Sequence, residues 1–416
     1  SFQNDTGSNK TTAYIGGLIG INGGSGAATA ASITSSYASG SVSSTHSSTG
    51  ATQYVGGLVG LNNSTSSSSI VSSYTNGAGT VSYTGGIASV VGGLVAYNQA
   101  GTIDQSYSTK TVSTSYTGST AITSIMGGLI GQSDGALTSS YASSGSVTLT
   151  NTASGNVNTS YIGGLIGYMS GASSTVSGSY SKDSTAYSYK GSSSSIQVTS
   201  VGGFVGYNAS TAGTSIATSY AQGSVSGSYD ASASGNKYVT SYLGGFVGQN
   251  GAAGASVINT SFSSGSVSSA LQGTGTTQYV GGFAGYNNST SASSIADSYS
   301  LGSAVYTGNV AGAAVGGFVG ATASTGTIVS AYSTGYVSAS AGTAAGFRGT
   351  GANTLTDTYW DSQTSGQSSS TGSTSKTTAQ LQAALLTGFS GGTWGLIAST
   401  SYPYLSGIYS STPQVI

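Results

Sequence analysis

The sequence predicts an all-β fold, a parallel β-helix or β-solenoid, and three observations lead to that prediction. A glycine-rich element, YVGGLVGLN at residues 54–62, occurs nine times, and its first glycine recurs at steps of 35 to 42 residues. The segments between the copies are short, rich in β-branched and aromatic residues, and flanked by Gly, Ser and Asn, as strands are. Before about residue 375 no stretch shows the spacing of an amphipathic helix. A fixed period in this range is the signature of a repeat protein, in which each unit stacks on the next.

The composition limits the kinds of partner and compartment. Of the 416 residues only 4% are charged and the formal net charge is −1, so neither nucleic acid nor an anionic lipid surface is expected as a partner. A net charge near zero favours self-association. There is no cysteine, which excludes disulfides and thiolate metal sites. No apolar run reaches the length of a membrane helix, so insertion into a membrane is not expected. Because the chain begins at Ser1 without a visible signal peptide, we interpret it as a processed form or fragment of an exported protein.

Each repeat begins with the glycine-pair strand, which poses a packing question. Strand alternation places Tyr54 and Gly56 on one face and Val55 and Gly57 on the other, so both faces carry apolar groups. Either the glycine pair marks a bulge, or the outer face is covered by a neighbouring segment or another molecule. The Asn that ends most copies is expected to stabilise a turn, with sugar binding as the minor alternative. The Asn positions are Asn22, Asn62, Asn98, Asn208, Asn250 and Asn287.

A second strand in each repeat ends in an aromatic residue, and a third short strand of the form Gly-x-Val follows it. The aromatic residues are expected to stack rung on rung in a structural ladder that helps to hold the coil together. They are Tyr37, Tyr74, Tyr107, Tyr141, Tyr180, Tyr220, Phe262, Tyr299 and Tyr332. A further tyrosine series, two residues before the glycine pair, is a candidate outward stripe for contact with sugars or a partner surface. Its members are Tyr14, Tyr54, Tyr161, Tyr242 and Tyr279.

Coiling the repeats places each strand on its own copy, so that every backbone N–H and C=O finds a partner one rung away. We expect nine to ten repeats of about 36 residues and a right-handed coil. A typical β-helix coil is shorter than this period, so the sequence favours two coils in each repeat. One coil with a long loop is the alternative.

The pattern changes near residue 350, which divides the chain into two parts. Residues 1–349 form the predicted repeat domain, and residues 350–416 form a final degenerate rung and a C-terminal cap. A cap protects the strand edges and the apolar core at the end of a solenoid. Both tryptophans, Trp360 and Trp394, lie in this part and are expected to act as a plug.

One short helix is predicted within the cap, in the segment KTTAQLQAALLTGF. Thr377 or Thr378 can act as its N-cap. Leu381, Leu385 and Phe389 would then lie on one face of the helix.

The GGL(V/I)GxN element followed by SYxxGxV resembles the GLUG repeat of large secreted bacterial surface proteins, including filamentous-haemagglutinin-like and autotransporter-type adhesins. The ending, with YWD at 359–361, TTAQL at 377–381 and YPYL at 402–405, is similar to the closing segment of that family. The resemblance covers nearly all of residues 14–405. It implies a β-solenoid stalk or adhesive passenger on a bacterial surface, without catalytic residues. Some copies depart from the pattern, as where Ala96 replaces the third glycine.

Catalysis and metal binding have few candidate residues. The single histidine, His46, is interpreted as an incidental surface residue. The eight carboxylates are scattered, and Lys182 with Asp183 is interpreted as a solvated loop pair. Asp357 and Asp361 could share an ion, but capping turns are favoured. The sequence therefore predicts no catalytic residue, no metal and no cofactor, and a protein that is not an enzyme.

These observations favour a secreted adhesin or structural stalk on a bacterial cell surface. Its partners would be cells, surface glycans or biofilm-matrix polysaccharide, bound by an uncharged surface rich in Ser, Thr and Tyr. The alternative is a self-assembling extracellular filament whose partner is another copy, because the charge is near zero and both strand faces are apolar. A polysaccharide-active β-helix enzyme is the lesser alternative, since distant carboxylates could meet on one side of a solenoid.

Overall fold

The chain winds into a β-solenoid in which each repeat is a single coil. The computed structural model describes residues 2–4, 12–24, 30–46, 51–67, 69–117, 122–152, 157–190, 196–229, 238–251, 255–272, 277–323 and 325–408. Each strand pairs in parallel with its own copy one repeat away, so that Tyr14 faces Tyr54 and Val55 faces Val91. The predicted parallel β-helix is confirmed, whereas the expectation of two coils in each repeat is wrong.

The glycine-pair element forms two strands in different sheets, which we name sheet 1 and sheet 2, and not the one strand that was predicted. Sheet 1 consists of Ala13–Gly16, Gln53–Gly56, Ser89–Gly92, Ile122–Gly127, Val157–Gly163, Ile196–Gly202, Tyr238–Gly244, Gln278–Gly281, Ala314–Gly316 and Thr343–Ala345. Sheet 2 consists of Ile19–Gly23, Val59–Asn63, Val95–Ala100, Ile130–Ser133, Ile166–Gly171, Val205–Ser210, Val247–Asn250, Ala284–Asn287, Val319–Thr322 and Arg348–Gly351. A bend at the second glycine joins the two strands of each coil.

The aromatic strand and the Gly-x-Val strand complete each coil, in sheet 3 and sheet 4. Sheet 3 consists of Ile33–Thr34, Tyr37–Ala38, Ile70–Val71, Tyr74–Thr75, Thr102–Asp104, Tyr107–Ser108, Ala136–Thr138, Tyr141–Ala142, Val176–Ser177, Tyr180–Ser181, Ile216–Ala221, Ile258–Ser263, Ile295–Ser300, Thr327–Ser333, Thr354–Asp361 and Thr374–Lys376. Sheet 4 consists of Phe2–Asn4, Val42–His46, Thr80–Gly85, Thr111–Tyr116, Ser146–Asn151, Ser184–Tyr189, Val225–Tyr229, Val267–Ser269, Ala304–Tyr306 and Val337–Ala339. Stacking each strand on its copies satisfies the backbone groups between neighbouring coils.

Sheets 1 and 2 fold against each other as an arch, and glycine makes their close approach possible. A Cβ atom at Gly56 would overlap the carbonyl oxygen of Val59 and lie 2.8 Å from the amide nitrogen of Ala96. A Cβ atom at Gly60 would lie 2.6 Å from the amide nitrogen of Ile15 in the preceding coil. The glycines therefore repeat because the two backbones touch, which leaves no room for a side chain. Sheet 2 is the neighbouring segment that covers the outer face of sheet 1.

The arch divides the interior into two apolar layers. Val55 of sheet 1 packs with Val81 and other valines of sheet 4 in one layer. Val59 of sheet 2 packs with Ile70 and its copies from sheet 3 in the other. Because equivalent side chains stack coil on coil, the second layer also contains a column of phenylalanine rings with centroids 4.6 to 4.8 Å apart. Its members are Phe204, Phe246, Phe283, Phe318 and Phe347.

A sharp corner lies in sheet 3 two residues before the aromatic position of each coil. The corner residue has a positive φ, which costs a non-glycine residue about 1–2 kcal/mol. These residues are Ser35, Ser72, Gln105, Ser139, Gly178, Thr218, Thr260, Asp297, Ser330 and Asp357. The following serine offsets the cost: Ser73 Oγ donates to the Val71 carbonyl at 2.9 Å and accepts from Ser36 N–H at 3.2 Å. This serine column, which repeats along the coils, stabilises the corner and turns the next side chain outward.

The C-terminal residues close the last coil and then return along the outside of sheet 3. Trp360 is 2% exposed and packs on Gly346 at the end of the second apolar layer, as expected of a plug. The helix spans only Thr378–Ala383, with Thr377 and Gln380 forming a capping box. Leu385 and Phe389 lie beyond it, so their predicted place on one helical face is wrong, because Ala384 is already extended.

A small antiparallel pair follows, Trp394–Gly395 with Tyr404–Leu405. Together with the helix and the segment between them it forms the cap, residues 377–408. No helix in the described part of the chain has the length and apolar character needed to cross a lipid bilayer.

Candidate functional site: the aromatic ladder

The aromatic residues of sheet 3 form one continuous ladder along the outside of the solenoid. Neighbouring ring centroids are 4.7 to 5.3 Å apart and neighbouring ring planes are within 12° of parallel. The structure brings together all nine predicted members, from Tyr37 to Tyr332. Tyr359 extends the register by one rung, since it pairs with Tyr332.

Strand alternation after the corner sets the direction of each ladder residue. Ser73 and Thr75 point into the protein and are fully buried, so Tyr74 between them points outward. The inward residue also ties the ladder to the arch: Thr75 Oγ1 donates to the carbonyl of Gly93 at 2.8 Å. Ser263 makes the equivalent bond to Gly282 at 2.7 Å. These bonds attach the ladder strands to the buried glycine bend.

The C-terminal end of the ladder is covered by the cap. Phe262, Tyr299 and Tyr332 are completely buried. The ring centroid of Trp394 lies 6.0 Å from that of Tyr299 and 5.9 Å from that of Tyr332, with the ring planes inclined by 46° and 51°. Phe389 stacks on Trp394 with centroids 4.2 Å apart. These rings form one apolar cluster with the ladder.

Hydrogen bonds fix the cap to the same surface. The hydroxyl of Tyr332 donates to the Pro403 carbonyl at 2.5 Å, and the hydroxyl of Tyr359 donates to the Thr387 carbonyl at 3.1 Å. The indole N–H of Trp394 donates to the carboxylate of Asp297, a corner residue, at 2.9 Å. Phenol hydroxyls and ring edges of the ladder are thus the groups that the cap contacts.

The remaining six tyrosines, which we call the open ladder, are not covered in this way. They are Tyr37, Tyr74, Tyr107, Tyr141, Tyr180 and Tyr220. Tyr37 is 58% exposed and the others are partly exposed. Burial raises the pKa of Tyr180 to about 12, so the phenol stays protonated at neutral pH and can donate a hydrogen bond. The open ladder is the candidate functional site.

The second tyrosine series lies on sheet 1, at the end of the arch away from the glycine bend. Tyr14 stacks on Tyr54 at 5.0 Å, and Tyr242 stacks on Tyr279 at 5.6 Å. Tyr161 stands apart from both pairs. The intervening sheet 1 positions are Val90, Ile125 and Ser200.

Tyrosines of sheet 2 stack on the tyrosines of this series and form separate clusters with them. Tyr54 stacks on Tyr97 at 5.8 Å, and Tyr161 stacks on Tyr168 at 5.2 Å. Desolvation raises the pKa of Tyr97, and the hydrogen bond it donates to Asp134 at 2.5 Å raises it further. The series is therefore a set of partly buried clusters and not a continuous outward stripe.

The Asn series forms a buried amide column. Asn22 Nδ2 donates to Asn62 Oδ1 at 2.8 Å, and Asn62 Nδ2 donates to Asn98 Oδ1 at 2.6 Å. Asn208, Asn250 and Asn287 repeat the pattern with distances of 2.8 and 3.0 Å. Because these six side chains are at most 4% exposed, they bind neighbouring coils and are out of reach of a sugar.

Two predictions about charged residues are wrong. Asp183, expected in a solvated pair with Lys182, is completely buried. Its Oδ1 accepts from Gly145 N–H at 2.8 Å, its Oδ2 has no partner, and burial raises its pKa to about 7. His46, expected on the surface, is 3% exposed at the end of Val42–His46 in sheet 4.

Several other carboxylates of the described residues form structural hydrogen bonds. Asp104 accepts from Thr138 at 2.6 Å, and Asp134 accepts from Tyr97. Asp361 accepts from Gln363 N–H at 2.8 Å and from the hydroxyl of Tyr402 at 2.7 Å. The bond from Gln363 N–H fits the expectation of a capping turn at Asp361. Asp5, Asp230 and Lys237 lie outside the described residues.

Within the described ranges, no group of three or more His, Cys, Asp and Glu side chains is placed to hold a metal ion.

Comparisons with known proteins do not assign the chain to a family. No family model matches it, and no curated protein and no solved structure is significantly similar to it.

Proposed function

We propose that this chain is a secreted bacterial surface protein, an adhesin or structural stalk, that attaches to cells, surface glycans or biofilm matrix. The observation that carries the proposal is the open ladder, a row of partly exposed tyrosines along the flank of a solenoid. Exposed aromatic rows on soluble proteins mark interaction surfaces more often than scattered apolar residues do.

The periodicity of the row suits attachment. Each rung presents the same phenol about 5 Å from the next. Weak contacts repeated at a fixed spacing add up through effective concentration, so a repetitive partner is held more tightly than any single contact allows. The resemblance to the GLUG repeat is consistent with such a role.

The polar groups of the described residues support binding over catalysis. Asp104, Asp134 and Asp361 are committed to hydrogen bonds that hold strands and cap together. Arg348 is likewise engaged, donating to Asn353 Oδ1 at 2.7 Å and to the Thr371 carbonyl at 3.1 Å. A general acid or base needs an accessible group of suitable pKa near a substrate site, and these residues serve the fold.

Attachment can be tested with the full chain immobilised on beads. Adhesion to bacterial and host cells, to a glycan array and to isolated biofilm matrix would be measured for the native chain and for a Tyr107→Ser/Tyr141→Ser variant. The matched control is Tyr336→Ser, because Tyr336 is 53% exposed but lies outside the ladder. We expect attachment to at least one surface, reduced in the ladder variant and retained in the control. Failure on all three surfaces contradicts the adhesin.

A self-assembling filament is the second candidate, and the first coil favours it. Its strands Ala13–Gly16 and Ile19–Gly23 have a neighbouring strand on one side only among the described residues. Leu18 and Ile19 are 52% and 39% exposed at this end. An unpaired strand edge with exposed apolar side chains is a template for adding another chain. Electron microscopy of the purified protein distinguishes the candidates, since fibres favour assembly and isolated rods favour adhesion.

A further inference from the structure

The surface that holds the cap continues without change into the open ladder. Across the boundary the ring centroids of Tyr180 and Tyr220 are 4.9 Å apart, and those of Tyr220 and Phe262 are 5.1 Å apart. The ring planes on both sides of the boundary are within 7° of parallel. The open rungs therefore present the same row of ring edges as the covered rungs, and all six of them also carry a phenol hydroxyl.

The cap shows what kind of ligand this surface accepts. Its backbone carbonyls, at Pro403 and Thr387, accept hydrogen bonds from ladder phenols. Its aromatic rings meet the ladder rings at inclinations of 35° to 76°. The steepest contact is edge to face, between Phe389 and Tyr359, with centroids 5.8 Å apart. The edge of an aromatic ring is electropositive, so it attracts carbonyl oxygens and the faces of other rings.

Stacking within the ladder limits what else can bind. A pyranose ring is recognised by packing its C–H groups on an aromatic face. Both faces of Tyr74, Tyr107 and Tyr141 are occupied by their ladder neighbours at 4.7 to 5.3 Å. Along the open ladder a sugar could reach a ring face only at the terminal Tyr37. The ladder geometry therefore favours a polypeptide over a glycan.

The surroundings of the open ladder favour an uncharged ligand. The adjacent corner residues include Ser72, Gln105 and Ser139, none of which is charged. Lys182 lies at one end of the row, with its ammonium 5.5 Å from the ring centroid of Tyr180.

From these contacts we infer that the open ladder binds an extended, uncharged polypeptide segment bearing aromatic side chains, in the way that the cap binds the covered rungs. This inference rests on the proposed attachment function and names its partner class. The segment lies along the phenol row, accepts hydrogen bonds through its backbone carbonyls, and places its rings against the ring edges of Tyr74 to Tyr180.

The test uses a peptide whose chemistry is already matched to the ladder. The probe is a fluorescently labelled peptide with the sequence of residues 386–405, LTGFSGGTWGLIASTSYPYL, which has no charged side chain. Its binding to the full chain is followed by fluorescence anisotropy. We expect saturable binding that weakens at least about fivefold in Tyr107→Ser/Tyr141→Ser, because two aromatic contacts are lost.

A second variant keeps the test interpretable if the serine variant folds poorly. Tyr107→Phe/Tyr141→Phe retains the stacked rings and removes only the hydroxyls, and it is expected to weaken binding about twofold to fivefold. Tyr336→Ser should bind like the native chain. A control peptide with its Phe, Trp and Tyr residues replaced by serine should not bind. Equal peptide binding by the native chain and both ladder variants overturns the inference.

The same variants separate this inference from the adhesin proposal. Cellohexaose, an uncharged glycan, is the competing probe, and ladder-dependent binding of this sugar without peptide binding would overturn the inference while leaving attachment intact. Ladder-dependent peptide binding by a chain that attaches to no cell, glycan or matrix would support the inference and contradict the adhesin.

Discussion

The covered and open parts of the aromatic ladder have the same stacking but different surroundings. Tyr332 is completely buried, whereas Tyr107 is partly exposed, although each follows the same corner and stacks on its neighbours at about 5 Å. In the covered part sheet 3 runs through the corner as one strand, as in Ile295–Ser300. In most of the open part it is split, as in Ile70–Val71 and Tyr74–Thr75. The local repeat therefore sets the ladder, and the returning cap sets which rungs are available.

The largest expected difference is between alanine substitutions in the two parts. Tyr332→Ala removes a buried ring and its bond to Pro403, and should lower the free energy of unfolding by about 3–5 kcal/mol. Tyr107→Ala removes a partly exposed ring and should cost about 1 kcal/mol. Urea unfolding followed by circular dichroism measures both. Equal costs would show that the cap adds nothing to the covered rungs.

The stability of the folded chain should depend on pH because of Asp183, a buried carboxyl group beside the open ladder. Asp183 is three residues after Tyr180, where the covered coils have Gly265 and Gly302. Its pKa in the folded state, about 7, lies above the ordinary value of 3.8, so the folded state holds the proton more tightly. Stability should therefore fall as the pH rises from about 4 to about 7, and then level off.

Asp183→Asn tests this effect. The variant keeps an acceptor for Gly145 N–H and removes the charge, so it should be more stable than the native chain at pH 8 and nearly equal to it at pH 4. The gain at pH 8 has an upper limit on the order of 4 kcal/mol. Melting temperatures across this range would show it, and parallel pH profiles for the two proteins would contradict it.

Removing the hydrogen bond between the Trp394 indole and Asp297 should have a moderate effect on the free energy of unfolding. Trp394→Phe keeps an aromatic ring on Tyr299 and Tyr332 but removes the donor to Asp297. A hydrogen bond to a charged group contributes about 1.5–3 kcal/mol, so we expect a loss in that range by urea unfolding. Asp297→Asn, which retains an acceptor, should lose less. A larger loss in Asp297→Asn than in Trp394→Phe would contradict the assigned bond.

The smallest expected difference concerns single hydroxyl groups. Tyr332→Phe leaves the Pro403 carbonyl without its donor in a buried place and should cost about 1 kcal/mol. Tyr141→Phe removes a hydroxyl from the partly exposed surface, where water can take its place, and should change stability by less than about 0.5 kcal/mol. Thermal unfolding of the two variants side by side provides the measurement.

Much of the fold could be predicted from the sequence because each column of stacked residues appears there as one residue type recurring at the repeat spacing. The aromatic position of every coil is visible in the recurring SY or SF, and the ladder follows from stacking copies in register. The preceding serine was equally visible, yet its role in stabilising the corner through bonds such as Ser73 Oγ to the Val71 carbonyl was missed. A serine repeated just before an outward aromatic was the available signal.

The arch could not be predicted, because strand alternation alone does not show where a chain doubles back. The element at residues 54–62 has the pattern of one strand, and only the contact of Gly56 and Gly60 with the neighbouring backbones shows two. The arch takes up chain length inside the coil, which is why a long repeat needs only one coil. The burial of Asp183 was missed for a similar reason, since its local sequence looks like a solvated loop.

The sequence by itself determined the repeat, the β structure and the register of the aromatic column, because parallel stacking makes identical residues neighbours. Only the tertiary structure decided that the glycine element folds into a buried arch and that the cap returns over the last rungs of the ladder. Both depend on which segments come into contact. The glycines recur in every repeat, but the sequence does not show which backbone they touch, and the returning cap occurs only once, so it has no period to detect.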